Sequence, residues 1–268
     1  MRENETVSCY SFENVRSTLD NLGLQNVELR FFEEIDSTNT EMKKSCLLGD
    51  IKESLALFIA KRQTAGRGRL GKSFVSEDGG VYLSLYLPAY ALRGAHELLT
   101  AYAAIVISDY LDGFCKINTE IKWVNDIHAD GKKLLGILSE GVFCDTGAIS
   151  GVIVGVGLNV FRTDFPKELG SIATSLEDII GKKLSRADLA CGIVKELLDN
   201  LPRLTSPTLI ADYKEKSNVL GKEITVIRGA EIFDAVALNI NEKAELIVSR
   251  GGELITLSSG EVSIKAKK

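Results

Sequence analysis

The sequence is poor in several residue types that carry common chemistries. It has two histidines, His96 and His128, one tryptophan, two methionines and four prolines in 268 residues. Two histidines exclude an HExxH zinc site and any multi-histidine cluster. A Ser-His-acid triad is poorly served as well, because His96 lies in a helical pattern and His128 in a strand-turn. The five cysteines (Cys9, Cys46, Cys115, Cys144, Cys191) are far apart, odd in number and never spaced CxxC. That argues against a disulfide framework and a structural zinc site, and for buried free thiols. Apolar runs such as residues 151–160 fall well short of the roughly 18 that suggest a spanning helix. The opening MRENETVSCYSFEN has no signal-peptide core, so the expected setting is cytoplasmic, away from membranes. Basic residues are not in excess either. Lys+Arg 32 against Asp+Glu 37 gives a net charge of -5, so any polyanion site must be local.

With 45% hydrophobic and 26% charged residues the chain has an ordinary globular composition, and its length suits one large domain, or a large one with a small partner. Residues 12–22 read as a short helix stopped by Gly23, and 27–33 as a strand. Thr38-Asn39-Thr40-Glu41 has capping-box spacing at a helix start, with Ser37 just before it. Strand patterns follow at 55–61 and 81–87, a long apolar helix at 96–110, then strands at 119–123, 134–143 and 148–156. Helical periodicity returns at 186–200 and 209–216. From Leu220 onward, short strands are separated by Arg228-Gly229, Asn241-Glu242 and Arg250-Gly251-Gly252, which predicts a small all-β module. Strands and helices mix without strict βαβ alternation, so the expected class is α+β with a mixed sheet.

The most informative stretch is residues 61–72, KRQTAGRGRLGK, with five basic residues and no acidic one. Glycines at 66, 68 and 71 let backbone N–H groups approach a ligand. Arg67 and Arg69 offer bidentate donors to carboxylate or phosphate. Residues 66–73 also match the P-loop pattern GxxxxGK[ST] literally. That motif needs a helix opening directly after Lys-Ser, and here Phe74-Val75-Ser76-Glu77-Asp78-Gly79-Gly80 runs into a strand instead. The match is a decoy.

Four segments in fixed order resemble the biotin protein ligases. They are Asp36-Ser37-Thr38-Asn39; Gln63-Thr64-Ala65-Gly66-Arg67-Gly68-Arg69; Lys122-Trp123-Val124-Asn125-Asp126 with Lys133-Leu134-Leu135-Gly136-Ile137-Leu138; and Gly155-Val156-Gly157-Leu158-Asn159. The resemblance implies an α+β catalytic domain with a mixed sheet, related to class II aminoacyl-tRNA synthetases, followed by a small SH3-like β-barrel. The implied division is a short helical segment at 1–24, a catalytic domain at 25–218 and the barrel at 219–268. It implies an enzyme that activates biotin with ATP as biotinyl-5'-AMP and transfers it to a lysine of a biotin carboxyl carrier protein domain. Mg²⁺ is expected with ATP, with no protein ligand assigned.

Residue by residue, the resemblance puts Lys122 and Arg69 at the chemistry. It puts Ser37, Thr38, Asn39, Gln63, Arg67, Gly68, Arg69 and Lys122 around biotin, and Arg67, Arg69, Lys122 and Asn159 at the nucleotide. The residue types suit the task. Two anions must meet, which calls for preorganised positive charge, and biotin's ureido head on an apolar tail calls for polar partners beside an apolar wall. Acyl adenylates hydrolyse, so residues 62–77 are expected to order over the ligand.

The chain departs from the family at Val124, usually Pro, and Phe74, usually Trp; Ala235, Asn239 and Ala244 stand where glycines are common. Val124 is expected to keep the strand running. About 25 residues precede the first strand, too few for a helix-turn-helix, so sequence-specific DNA binding is not expected. Members often pair through a sheet edge, which leaves a homodimer open. Two alternatives also stay open here: a lipoate-type ligase of the same fold, and a non-catalytic regulator that binds biotin or its adenylate.

Overall fold

The computed structural model describes residues 10–51, 54–162 and 170–265. Cys9 and the first nine residues of the N-terminal segment lie outside this range. The chain begins with α1 (Phe12–Asn21), whose first turn is capped by the Ser11 side chain accepting from Asn14 N–H, and which buries Val15 and Leu19. A parallel crossover follows: β1 (Glu28–Ile35), α2 (Thr38–Leu47) and β2 (Ala56–Gln63). The remaining strands of the sheet are β3 (Val81–Pro88), β4 (Glu120–Lys122), β5 (Asp126–Ala129), β6 (Lys132–Phe143) and β7 (Ile149–Leu158). They assemble in the order β1-β2-β3-β7-β6-β5-β4, antiparallel everywhere except β1/β2. The mixed sheet of an α+β domain is thus observed.

Both faces of the sheet are covered, which is why β3 is buried along its whole length and reads as a continuous apolar run. On one face lie α3 (Leu99–Cys115) and α5 (Arg186–Asp199), over the main core. On the other, α2 closes a smaller core of Met42, Phe58, Tyr86, Val142 and Ile153. Residues 96–115 are long and apolar enough to cross a bilayer by length and composition alone. Their apolarity is explained by packing, because Ala101 through Ser108 are buried without a break.

Two boundaries differ from the sequence reading. The long helix opens as a 3-10 turn at His96–Leu98 and continues to Cys115, because the polar residues Ser108, Asp109 and Asp112 find partners and do not interrupt it. The strand expected over 119–123 is only Glu120–Lys122, and Trp123-Val124-Asn125 form a turn into β5. Val124 therefore does not prolong the strand. The turn carries the Trp123 indole N–H to the Ala244 carbonyl at 2.9 Å.

After α4 (Leu176–Ile180) and α6 (Leu209–Glu215) comes a five-stranded antiparallel sheet: β8 (Glu223–Arg228), β9 (Glu231–Ile240), β10 (Leu246–Arg250), β11 (Glu253–Leu257) and β12 (Glu261–Ile264), in the order β11-β10-β9-β8-β12. Each turn signal read from the sequence stands at a junction of consecutive strands, with Arg228 and Arg250 closing β8 and β10. Of the three positions where family members often carry glycine, only Ala244 has a left-handed backbone, with φ +60°; Ala235 and Asn239 lie within β9.

Candidate active site

A cavity of about 690 Å³ opens between the end of β2, the first turn of α2, the 66–74 loop, the β3/β7/β6 part of the sheet and the edge of the C-terminal sheet. Segments separated by tens of residues in sequence converge here because β3, β7 and β6 are neighbours. Two cross-strand rows form the floor. Ser84 pairs with Gly155 and Gly155 with Leu138; Tyr82 pairs with Gly157 and Gly157 with Gly136.

The glycines in these rows are there for room. A Cβ on Gly155 would stand 2.3 Å from Asn39 Oδ1, and one on Gly157 would stand 2.6 Å from the Phe74 ring. Asn39 and Phe74 therefore lie directly on the sheet. Phe74 meets Tyr82 edge-on at 6.4 Å between centroids, with the Lys133 ammonium 5.5 Å from its own ring centre. This is the apolar wall.

The polar end is built around the start of α2. Ser37 caps the helix by accepting from Thr40 N–H (3.4 Å) and donates its own N–H to Asp36 Oδ1, while its hydroxyl donates to none of the described residues. Thr38 donates its N–H (2.9 Å) and its hydroxyl (3.1 Å) to Gln63 Oε1, and Gln63 Nε2 donates to Ser76 Oγ (2.9 Å). Ser84 has one hydroxyl proton for two acceptors, Thr38 Oγ1 at 2.8 Å and Asn39 Oδ1 at 2.6 Å. The Asn39 amide is committed to protein: its Nδ2 donates to the Leu138 carbonyl (3.2 Å) and to Glu140 Oε2 (2.9 Å). Asn39 lines the cavity, yet it holds the pocket together more than it offers a free hydrogen-bonding group.

The charged end is cationic. The Lys122 ammonium, on the short β4, makes no hydrogen bond or ion pair among the described residues, and burial holds its pKa below the ordinary lysine value despite the Asp126 charge nearby. Arg69 reaches Asn125 Oδ1 (3.4 Å), and burial lowers its pKa too. Asn125 is fixed to β6 by its Nδ2 donating to the Ile137 carbonyl (2.7 Å). Lys133 pairs with Asp126 at 2.8 Å. Lys72 pairs with Glu261 of β12, tying the arginine loop to the C-terminal sheet. His128, which also lines the cavity, is depressed to about 4 by burial and by the Lys122 charge. It is therefore neutral at pH 7.

Eight of the nine site residues expected from sequence line this one cavity: Ser37, Thr38, Asn39, Gln63, Arg67, Gly68, Arg69 and Lys122. Asn159 does not. It follows β7, is buried, and donates its Nδ2 to the Thr174 carbonyl at 3.0 Å. Sequence reasoning missed Ser84, Glu140 and the lining residue Lys133. The Lys133-to-Leu138 motif pointed at the neighbourhood, but contacts across strand register have no sequence signature. Among the described residues no three His, Cys, Asp or Glu side chains gather as a metal site.

This geometry has relatives. The biotin--[acetyl-CoA-carboxylase] ligase of Mycobacterium tuberculosis is 31% identical over 84% of this chain and 85% of its own length. The chain belongs to the biotin/lipoate A/B protein ligase family. The family profile itself matches residues 31–159, which hold every site residue predicted from sequence. The bifunctional ligase/repressor BirA of Bacillus subtilis is 40% identical over 53% of this chain, a match spanning 43% of that relative's length. The biotin protein ligase of Aquifex aeolicus, solved in complex with biotin and ATP, superposes with a TM-score of 0.75 at 26% identity, covering 90% of this chain and 99% of that one.

Proposed function

We propose that this protein is an ATP-dependent biotin protein ligase, with biotin and ATP as substrates and a biotin carboxyl carrier protein domain as acceptor. The observation that carries this reading is one cavity that joins a neutral polar pocket, Ser37, Thr38 and Gln63, to cationic side chains that include Arg67, Arg69, Lys122 and Lys133. Such a division suits a ligand with an uncharged polar head and a carboxylate that must meet a polyphosphate.

In the first step a biotin carboxylate oxygen attacks the α-phosphorus of ATP; the new P–O bond forms as the bond to pyrophosphate breaks. Lys122 and Arg69 offset the charge that gathers there. Lys122 is suited to this because its ammonium makes no ion pair or hydrogen bond among the described residues, so its donors are available to the ligand. Ser37, Thr38 and Gln63 hold the ureido head, and Phe74 on its glycine floor provides the wall for the tail. Arg67, Gly68 and Arg69 close over the adenylate and keep water from the mixed anhydride. In the second step a carrier lysine amine attacks the biotinyl carbonyl carbon, the amide bond forms, and AMP leaves. Mg²⁺ suits a site without its own metal cluster if it arrives on the ATP phosphates, as divalent ions on nucleotides commonly do.

The same reading takes residues 25–218 as a catalytic domain related to class II aminoacyl-tRNA synthetases and 219–268 as an SH3-like barrel. Asn159 would then act on the nucleotide through its strand end, and β1, at the sheet edge, would serve a homodimer. The deciding experiment incubates the chain with labelled biotin, ATP, Mg²⁺ and a carboxyl carrier domain. Label on the carrier lysine is expected; transfer of lipoate with none of biotin would overturn the reading.

A further inference from the structure

Glu140 lies on β6 and its side chain is 15% exposed. It is not among the residues lining the cavity, yet it touches two that are. Its Oε2 accepts from Asn39 Nδ2 at 2.9 Å and from Arg67 Nη1 at 3.3 Å, and its Oε1 stands 3.2 Å from Arg67 Nη2.

The two partners differ in kind. Asn39 is 4% exposed and locked by Ser84 and the Leu138 carbonyl, over a glycine that leaves it no slack. It holds the carboxylate in place. Arg67, by contrast, is 47% exposed on a loop that is joined to itself by the Arg67–Ser73 bridge. A guanidinium has five N–H donors in a rigid fork, and a carboxylate that takes two of them fixes the plane of the rest.

We propose that Glu140 is the positioning residue for Arg67: it tethers the arginine loop to the sheet, aims the remaining guanidinium donors at the ligand anion, and so sets how long an activated acyl adenylate is retained. This rests on the biotin-activation reading for its second half only. The tether itself is a property of the ligand-free chain. A carboxylate is needed at this place because an amide would offer one acceptor and set its own N–H groups against the Asn39 or Arg67 donors.

The test uses the full-length chain with E140Q, E140D, R67A and the E140Q/R67A pair. In the ligand-free protein, trypsin cleavage after Arg69 is expected to rise about three- to ten-fold in E140Q and R67A, to rise no further in the pair, and to stay close to wild type in E140D. With biotin and ATP, E140Q should release more free adenylate per biotin transferred, while its pyrophosphate-exchange rate stays within about two-fold. Wild-type cleavage of E140Q, additive effects in the pair, or equally faster cleavage throughout the chain would each overturn the proposal. If the wild-type chain transfers no biotin, the functional reading falls, and the cleavage comparison still decides the tether.

Discussion

Gly155→Ala is expected to be severely destabilising, against the usual trend for this exchange. Replacing glycine by alanine normally stabilises by roughly 0.5–1 kcal/mol, because the unfolded chain loses freedom. At position 155 the added Cβ would lie 2.3 Å from Asn39 Oδ1, 2.8 Å from its Cγ and 2.9 Å from its Nδ2. Non-bonded contacts settle near about 3.5–4 Å, so the amide must move by about 1 Å. It cannot do so freely, because it holds bonds to Ser84, Leu138 and Glu140. Overpacking costs about 1–3 kcal/mol and each weakened bond about 0.5–1.5 kcal/mol. After the entropic gain the net loss is about 2 kcal/mol if the amide shifts with its bonds only slightly weakened and up to about 7 kcal/mol if all three are weakened fully, which lowers Tm by at least roughly 4–8 °C in a chain of this size. Urea unfolding followed by far-UV circular dichroism measures it, and biotin KM should rise in parallel. Gly113→Ala is the internal control, since nothing lies within 4 Å of its Cβ on α3. It should gain roughly 0.5–1 kcal/mol. A Gly155→Ala midpoint at or above wild type would refute the reasoning about the Asn39 seat.

Three further outcomes are expected. Lys122→Ala should lower biotin-dependent pyrophosphate exchange by roughly 10²–10³-fold, as removal of one preorganised charge does elsewhere. Because burial lowers the Lys122 pKa, the ammonium is lost at a lower pH than for an ordinary lysine, so exchange should fall on the alkaline side. Lys122→Arg, charged throughout, should move that fall to higher pH, and an unmoved alkaline limb would count against the assignment. His128 titrates near 4 when folded and near 6.5 when unfolded. Its stabilising neutrality is complete above about pH 6.5 and is lost as pH drops toward 4, roughly 3 kcal/mol in all. His128→Gln should flatten this part of the stability profile in urea titrations at pH 7 and 4.5, and an equal acid loss in both proteins would exclude the mechanism. Ala244→Gly relieves a left-handed backbone at φ +60° and should gain roughly 0.5–1 kcal/mol while keeping the Trp123 bond to its carbonyl; a lower Tm would contradict that.

Much of this protein is legible in its sequence. The strand runs at 55–61 and 81–87 and the turn pairs after Leu220 are local signals, and the corresponding elements form where those signals stand. The helix after residue 37 also starts as expected, but its cap is Ser37, whereas Thr38, which opened the expected 38–41 capping box, lies inside the helix with its hydroxyl on Gln63. The arginine–glycine loop was recognisable as a ligand segment because its charge and its glycines have no use in a packed core. What stayed hidden depends on partners distant in the chain. Strand order brings Gly136 opposite Gly157, and Gly155 between Ser84 and Leu138; only then do Phe74 and Asn39 have a floor to lie on. Trp123 is buried at the cavity and fixed by its indole N–H donating to the Ala244 carbonyl, more than a hundred residues further along the chain. By itself the sequence determined the mixed α+β class, because periodicity and turn chemistry act over short stretches, and through its resemblance to the biotin protein ligases it pointed to eight lining residues. Only the tertiary structure decided that the Asn39 amide is committed, that the partly buried Lys122 ammonium makes no ion pair among the described residues and that Glu140 holds Arg67. Those facts follow from register and burial, which arise when separate segments pack.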